Sequence, residues 1–138
     1  MVYVALFPDV PEEIAGIIQA RLLAGFGRTV DVVNRIPNPR PAVFVRVLGV
    51  GGVRRDQVTD IPTLAVEAWG SLRTGAADLA QQVRAIIHSL EGGTFTGFTV
   101  QGVEEFAGPA DLPDPLSDQF RYTATYAVTI RSESSINL

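Results

Sequence analysis

Cysteine is missing from this 138-residue chain, so disulfides, thiol nucleophiles and zinc–thiolate sites are all excluded. Lysine is missing too; all eleven basic residues are arginine. A GC-rich coding sequence favours arginine codons, and arginine's planar fork also suits ion pairs between proteins better than lysine's point charge does. There is one histidine and one tryptophan. No apolar run approaches the roughly 20 residues of a membrane span, so no membrane partner is expected. The opening MVYVALFPDVPEEI has no basic region and meets Pro8, Glu12 and Glu13 early, so no signal peptide is expected. The net charge of −4 has no cationic cluster behind it, which argues against gripping nucleic acid.

What is present is enough apolar material, 46% of residues, for one folded domain across residues 1–138. Pro11, the acids Glu12 and Glu13, and the spacing of Ile14, Ile17, Ile18 and Leu22 predict a helix over 11–24, closed by Gly25-Phe26-Gly27. A second helix follows Arg73, with Ala76, Leu79, Ala80, Val83, Ile86, Ile87 and Leu90 on one stripe and Gly92-Gly93 as the stop. Strands are predicted over 29–36, 42–50, 61–70, 98–108 and 120–130. The last sets Tyr122, Ala124, Tyr126, Val128 and Ile130 against Arg121, Thr123, Thr125, Ala127 and Thr129. GVGGVRRDQVTD (49–60) and GPADLPDPLSD (108–118) read as connectors, and residues 1–8 and 132–138 as flexible ends, although VYVALF could make a short strand. The fold class is α+β, a mostly antiparallel sheet packed against two helices.

Chemistry has few candidates. His88 falls on the polar side of its helix beside Gln81 and Arg84, and no serine is placed to complete a triad. Gly49, Gly51 and Gly52 miss the G-x-G-x-x-G spacing, and no Lys-Ser/Thr follows for a phosphate loop. Glu104 and Glu105 are strand neighbours and face opposite sides. Asp111, Asp114 and Asp118 recur like calcium ligands, but Pro113 and Pro115 stand where an EF-hand loop needs glycine and glutamate. Trp69 ends a strand and reads as a core residue. No enzyme activity, metal or cofactor is expected.

VTDIPTLAVEAWGSLRTGAADLAQQVRAIIHSL followed by GPADLPDPLSDQFRYTATYAVTIR resembles the tail terminator proteins of long-tailed phages, especially those of actinobacterial hosts. The resemblance rests on Glu67-Ala68-Trp69-Gly70, the alanine-rich helix, Gly108-Pro109, Leu112-Pro113-Asp114-Pro115 and Arg121-Tyr122. It implies a structural virion protein that assembles in the host cytoplasm as a hexameric ring. Such a ring caps the head-proximal end of the tail tube, stops its polymerisation and docks the head connector. Implied partners are its own copies, the major tail tube protein and the connector, with DNA passing through the lumen unread. Other readings are a neck or head-completion protein bridging portal and tail, or a small ligand-binding domain. Arg54, Arg55 and Asp56 in one connector, and Asp111, Asp114 and Asp118 in the other, are the candidate contacts between subunits or with partners.

Overall fold

In a computed structural model describing residues 2–138, helix α1 spans Val10–Phe26. Asp9 caps it, its carboxylate accepting from the Glu12 N–H, and Gly27 closes it in the left-handed conformation with φ 64°. Helix α2 spans Arg73–His88. Its N-cap, Leu72, has no side-chain capping bond, so packing must hold this helix in place. The packing is ample: all seven apolar residues predicted for the stripe, Ala76 through Leu90, are buried. Each fully buried Leu or Ile contributes at most about 1.5–3 kcal/mol.

The strands are β1 (Tyr3–Leu6), β2 (Asp31–Val33), β3 (Phe44–Arg54), β4 (Thr59–Gly70), β5 (Thr94–Phe95), β6 (Phe98–Asp111), β7 (Phe120–Ser132) and β8 (Ser134–Asn137). Six of them form one sheet in the order β2-β3-β4-β7-β6-β5, antiparallel except for the β2–β3 pair. This is the α+β architecture that the patterns predict. Both helices lie on one face of the sheet, against Val45, Val47, Leu64, Val66, Ala68, Ala124, Tyr126, Val128 and Ile130.

Three segments differ from their sequence reading: the strand read over 29–36 is only Asp31–Val33, and both glycine- and proline-rich connectors are partly strand. GVGGVRRDQVTD is mostly strand: β3 continues to Arg54, β4 begins at Thr59, and only four residues turn between them. The glycines supply a bulge, where the register with β4 shifts between Gly49 and Gly52. Gly52 has φ 132°, and a Cβ there would strike the Ile61 carbonyl, so only glycine lets the hairpin pass. The first four residues of GPADLPDPLSD are strand, because β6 runs through Pro109 to Asp111 with register shifts after Glu105 and Ala107. Pro109 is tolerated there because this part of β6 is a sheet edge. At the ends, the short strand that VYVALF allows forms as β1 and pairs with β8 in an antiparallel ribbon from Tyr3↔Asn137 to Leu6↔Ser134. Backbone ladder bonds stabilise a polar strand such as SSIN, and nothing in its side chains announces a partner some 130 residues away.

Candidate functional site

Strand alternation sends Phe44, Arg46, Glu67, Trp69, Arg121 and Thr123 to the face of the sheet that the helices leave open. Register then makes a cluster. Trp69 stands between Phe44 and Arg121 on the neighbouring strands, and Glu67 between Arg46 and Thr123. The Trp69 and Phe44 rings stack with centroids 5.2 Å apart. The guanidinium carbons of Arg40 and Arg121 lie over the indole at 5.0 and 5.3 Å. Trp69 is 1% exposed, yet its indole N–H finds no acceptor in the described chain, so packing and charge hold it in place. Glu67 balances the cations: Arg46 Nε donates to its Oε1 at 2.6 Å, and Arg121 Nη1 lies 3.7 Å from its Oε2.

Two connectors close over this cluster. Residues 36–43 and 112–119 are joined by Gln119 Nε2, which donates to the Pro41 and Ala42 carbonyls at 2.8 and 3.0 Å. Arg40 Nη1 donates to Asp114 Oδ2 at 3.1 Å. Asp114 also accepts from the Ser117 hydroxyl at 2.8 Å and the Leu116 N–H at 3.3 Å. The Ser117 hydroxyl first, then the Leu116 N–H and Arg40, hold its carboxyl below the usual aspartate range. Asp114 is therefore a brace inside its own subunit. Asp111 ends β6 and Asp118 sits in the loop, both exposed.

The other predicted residues lie at the far end of β3, roughly 30 Å away at about 3.3 Å per residue. There Arg54 donates from Nε to the Asp56 carbonyl at 3.0 Å and from Nη2 to the Gln57 carbonyl at 2.6 Å. Its guanidinium also covers the Phe7 ring at 5.0 Å. Asp56 accepts from the Val58 N–H at 2.9 Å, the main reason its carboxyl is held below the usual range. Arg55 is exposed, and only its backbone N–H is engaged, by the Thr59 carbonyl. The predicted residues thus fall into two groups at opposite ends of the sheet, and the chain brings neither group to the other.

The helix-side cluster is structural. Arg84 grips Glu105 with two bonds of 2.8 and 2.7 Å, and His88 Nε2 lies 3.2 Å from the same carboxylate, fastening α2 to β6. Arg84 is the main cause of Glu105's lowered pKa. Burial, with Glu105 as a second cause, pushes the neighbouring Tyr126 phenol up to about 12. His88 packs edge-on against that ring at 5.9 Å. The Trp69 cluster was missed in the sequence because no local pattern reports it. The one available signal was a lone tryptophan at a strand end, with proline-flanked Arg40 and strand-opening Arg121 elsewhere in the chain.

Beyond that cluster, between Thr125 and Thr129, the open face carries Thr125, Ala127 and Thr129 on β7, Thr63 and Ala65 on β4, and Gly102, Glu104 and Ala107 on β6. It is a smooth surface of small side chains, with a carboxylate as its only charge in that stretch. The profile of the phage tail termination protein family matches residues 7–137. The chain belongs to that family. This tail terminator matches no curated protein. Among solved structures it is similar to a chain from the virion of a native gene transfer agent particle, with a TM-score of 0.62 and 12% identity. The alignment covers 91% of the tail terminator and 99% of the other chain, and at that identity it speaks for the shared fold alone. Membership places the tail terminator in a family of structural phage tail proteins. None of its described helices is long and apolar enough to cross a membrane.

Proposed function

We propose that this chain assembles in the host cytoplasm into a closed hexameric ring on the head-proximal end of the tail tube. The ring ends tube polymerisation and presents a surface to which the head connector docks. The observation that carries this reading is the family match over nearly the whole chain. The open sheet face supports it, because a bore that lets DNA slide must not hold phosphates. Between the Arg46–Glu67–Arg121 cluster and Arg131, a stretch of Thr, Ala and Gly with Glu104 carries no cation, and Glu67 pairs with Arg46 and Arg121.

The β3–β4 tip and the 112–119 loop are the contact surfaces of this reading. The tip carries exposed Val50, Val53 and Val58 beside Arg54, Arg55 and Asp56, an apolar and charged mixture suited to a protein partner. The acidic loop, with Asp111, Asp114 and Asp118, sits at the opposite end. A subunit whose two ends differ in this way makes head-to-tail contacts, the kind that close into rings. Light scattering on the purified protein at rising concentration, or on tail tubes capped with it, tests this reading. The wild type gives the mass of a closed ring. The double reversal Arg54→Glu, Arg55→Glu caps tubes or docks connectors at least about tenfold more weakly, the effect of losing about 1.4 kcal/mol. Unchanged capping and docking by that variant would remove the tip from the interface.

A further inference from the structure

The C-terminal halves of α1 and α2 leave an open groove of about 420 Å³ on the helix layer. Ala24, Gly25, Phe26, Ala85 and Ile86 make its apolar lining, and Arg21 and Ser89 add the polar edge. Arg21 Nη1 donates to Ser89 Oγ at 2.8 Å, so the groove has few free polar groups with which to orient a small ligand. It does have uncompensated charge. Among the described residues, neither Arg21 nor nearby Arg28 has a carboxylate within ion-pair distance. Helix C-termini contribute roughly −0.5 charge each, less than two full positive charges.

The matching feature lies on the other layer. Leu116 is 88% exposed, the most exposed of the large apolar side chains among the described residues. Single exposed leucines are common, but this one is held out by a braced loop. Asp114 accepts from its N–H and from Ser117, and is tied to Arg40 over the open sheet face. Two residues on, Asp118 is exposed and, among the described residues, has no cation within ion-pair distance. A preshaped loop loses little freedom on docking.

We propose that Leu116 of one copy seats in the α1–α2 groove of the next, with Asp118 facing Arg21 and Arg28. The occupant is a second copy because the apolar knob carries the charge that the groove rim lacks, and both belong to the same chain. Knob and groove lie on opposite layers, so the contact is heterologous and passes from subunit to subunit. The inference rests on the ring reading and supplies one of its contacts.

The chain has no cysteine, so position-specific cross-linking is direct. Ala24→Cys and Leu116→Cys are made as separate variants, mixed, and treated with a short bismaleimide. The mixture yields a one-to-one cross-linked dimer, each variant alone yields none, and a chain carrying both changes yields a ladder that ends in a closed ring. Glu13→Cys, on an exposed position at the start of α1, replaces Ala24→Cys in the control mixture and gives no product. A 24–116 product no stronger than that control overturns the contact, as does a product from Leu116→Cys alone. If the wild type forms rings without a 24–116 product, the contact falls and the ring stands. If it stays monomeric at the highest attainable concentration and gives no product, both fall.

Discussion

Replacing Trp69 by alanine lowers the unfolding free energy by about 4 kcal/mol, within the range for losing a fully buried tryptophan. The size of the loss follows from what the indole touches. It stacks on Phe44, which is itself fully buried, and it lies beneath the guanidinium groups of Arg40 and Arg121. Its site is away from the helix-side core, so the core side chains cannot fill the space that it leaves. Urea unfolding followed by circular dichroism measures the change. Hydrogen exchange should rise at 40–44 and 112–120, where Arg40 and Gln119 join the loops, before it rises in α2. A loss below about 1 kcal/mol, no more than an average point substitution, would mean that Trp69 does not hold the loops.

The second large effect is at Glu67. Its alanine variant is destabilised by about 3 kcal/mol, because Arg46 and Arg121 remain close together without their shared anion. That figure is at the low end of the range for a broken buried pair. The Arg46 and Arg121 side chains keep 22% and 18% exposure, and water recovers part of the cost. Glu67→Gln keeps the volume and an acceptor for Arg46 Nε, so its loss is smaller. The same urea titration compares them. If alanine and glutamine variants are equally stable, charge balance has no part in holding the open face together.

The helices were legible because each signal was local. Asp9, Glu12 and Glu13 mark the start of α1, Gly27 marks its end, and the apolar spacing of α2 matches the face it buries. The faces of β4 and β7 were legible for the same reason, since period-two alternation in Leu64, Val66 and Ala68 or Tyr126, Val128 and Ile130 needs no partner to be read. Register is not local. Whether Trp69 meets Arg121 or Glu67 meets Arg46 depends on how strands pair, and a slip of one residue would send each to the other face. Gly51 and Gly52 looked like a flexible loop because a bulge and a loop ask the same thing of glycine. Pairing of β1 with β8 depends on backbone bonds between chain ends, beyond the reach of any window along the sequence.

The resemblance carried by Glu67-Ala68-Trp69-Gly70 and the Gly108–Tyr122 stretch agrees with the family match over 7–137. Much of that shared pattern falls on the open-face cluster and the loops that close it. The six predicted contact residues divide differently: Arg54, Asp56 and Asp114 are engaged within their own subunit, whereas Arg55, Asp111 and Asp118 remain exposed.

Electron microscopy of tails assembled without this chain tests the central claim most directly. Tubes that grow well beyond the wild-type length, and return to it when the chain is supplied, are the predicted result. Tails of normal length that fail to join heads would contradict it and make the chain a neck connector.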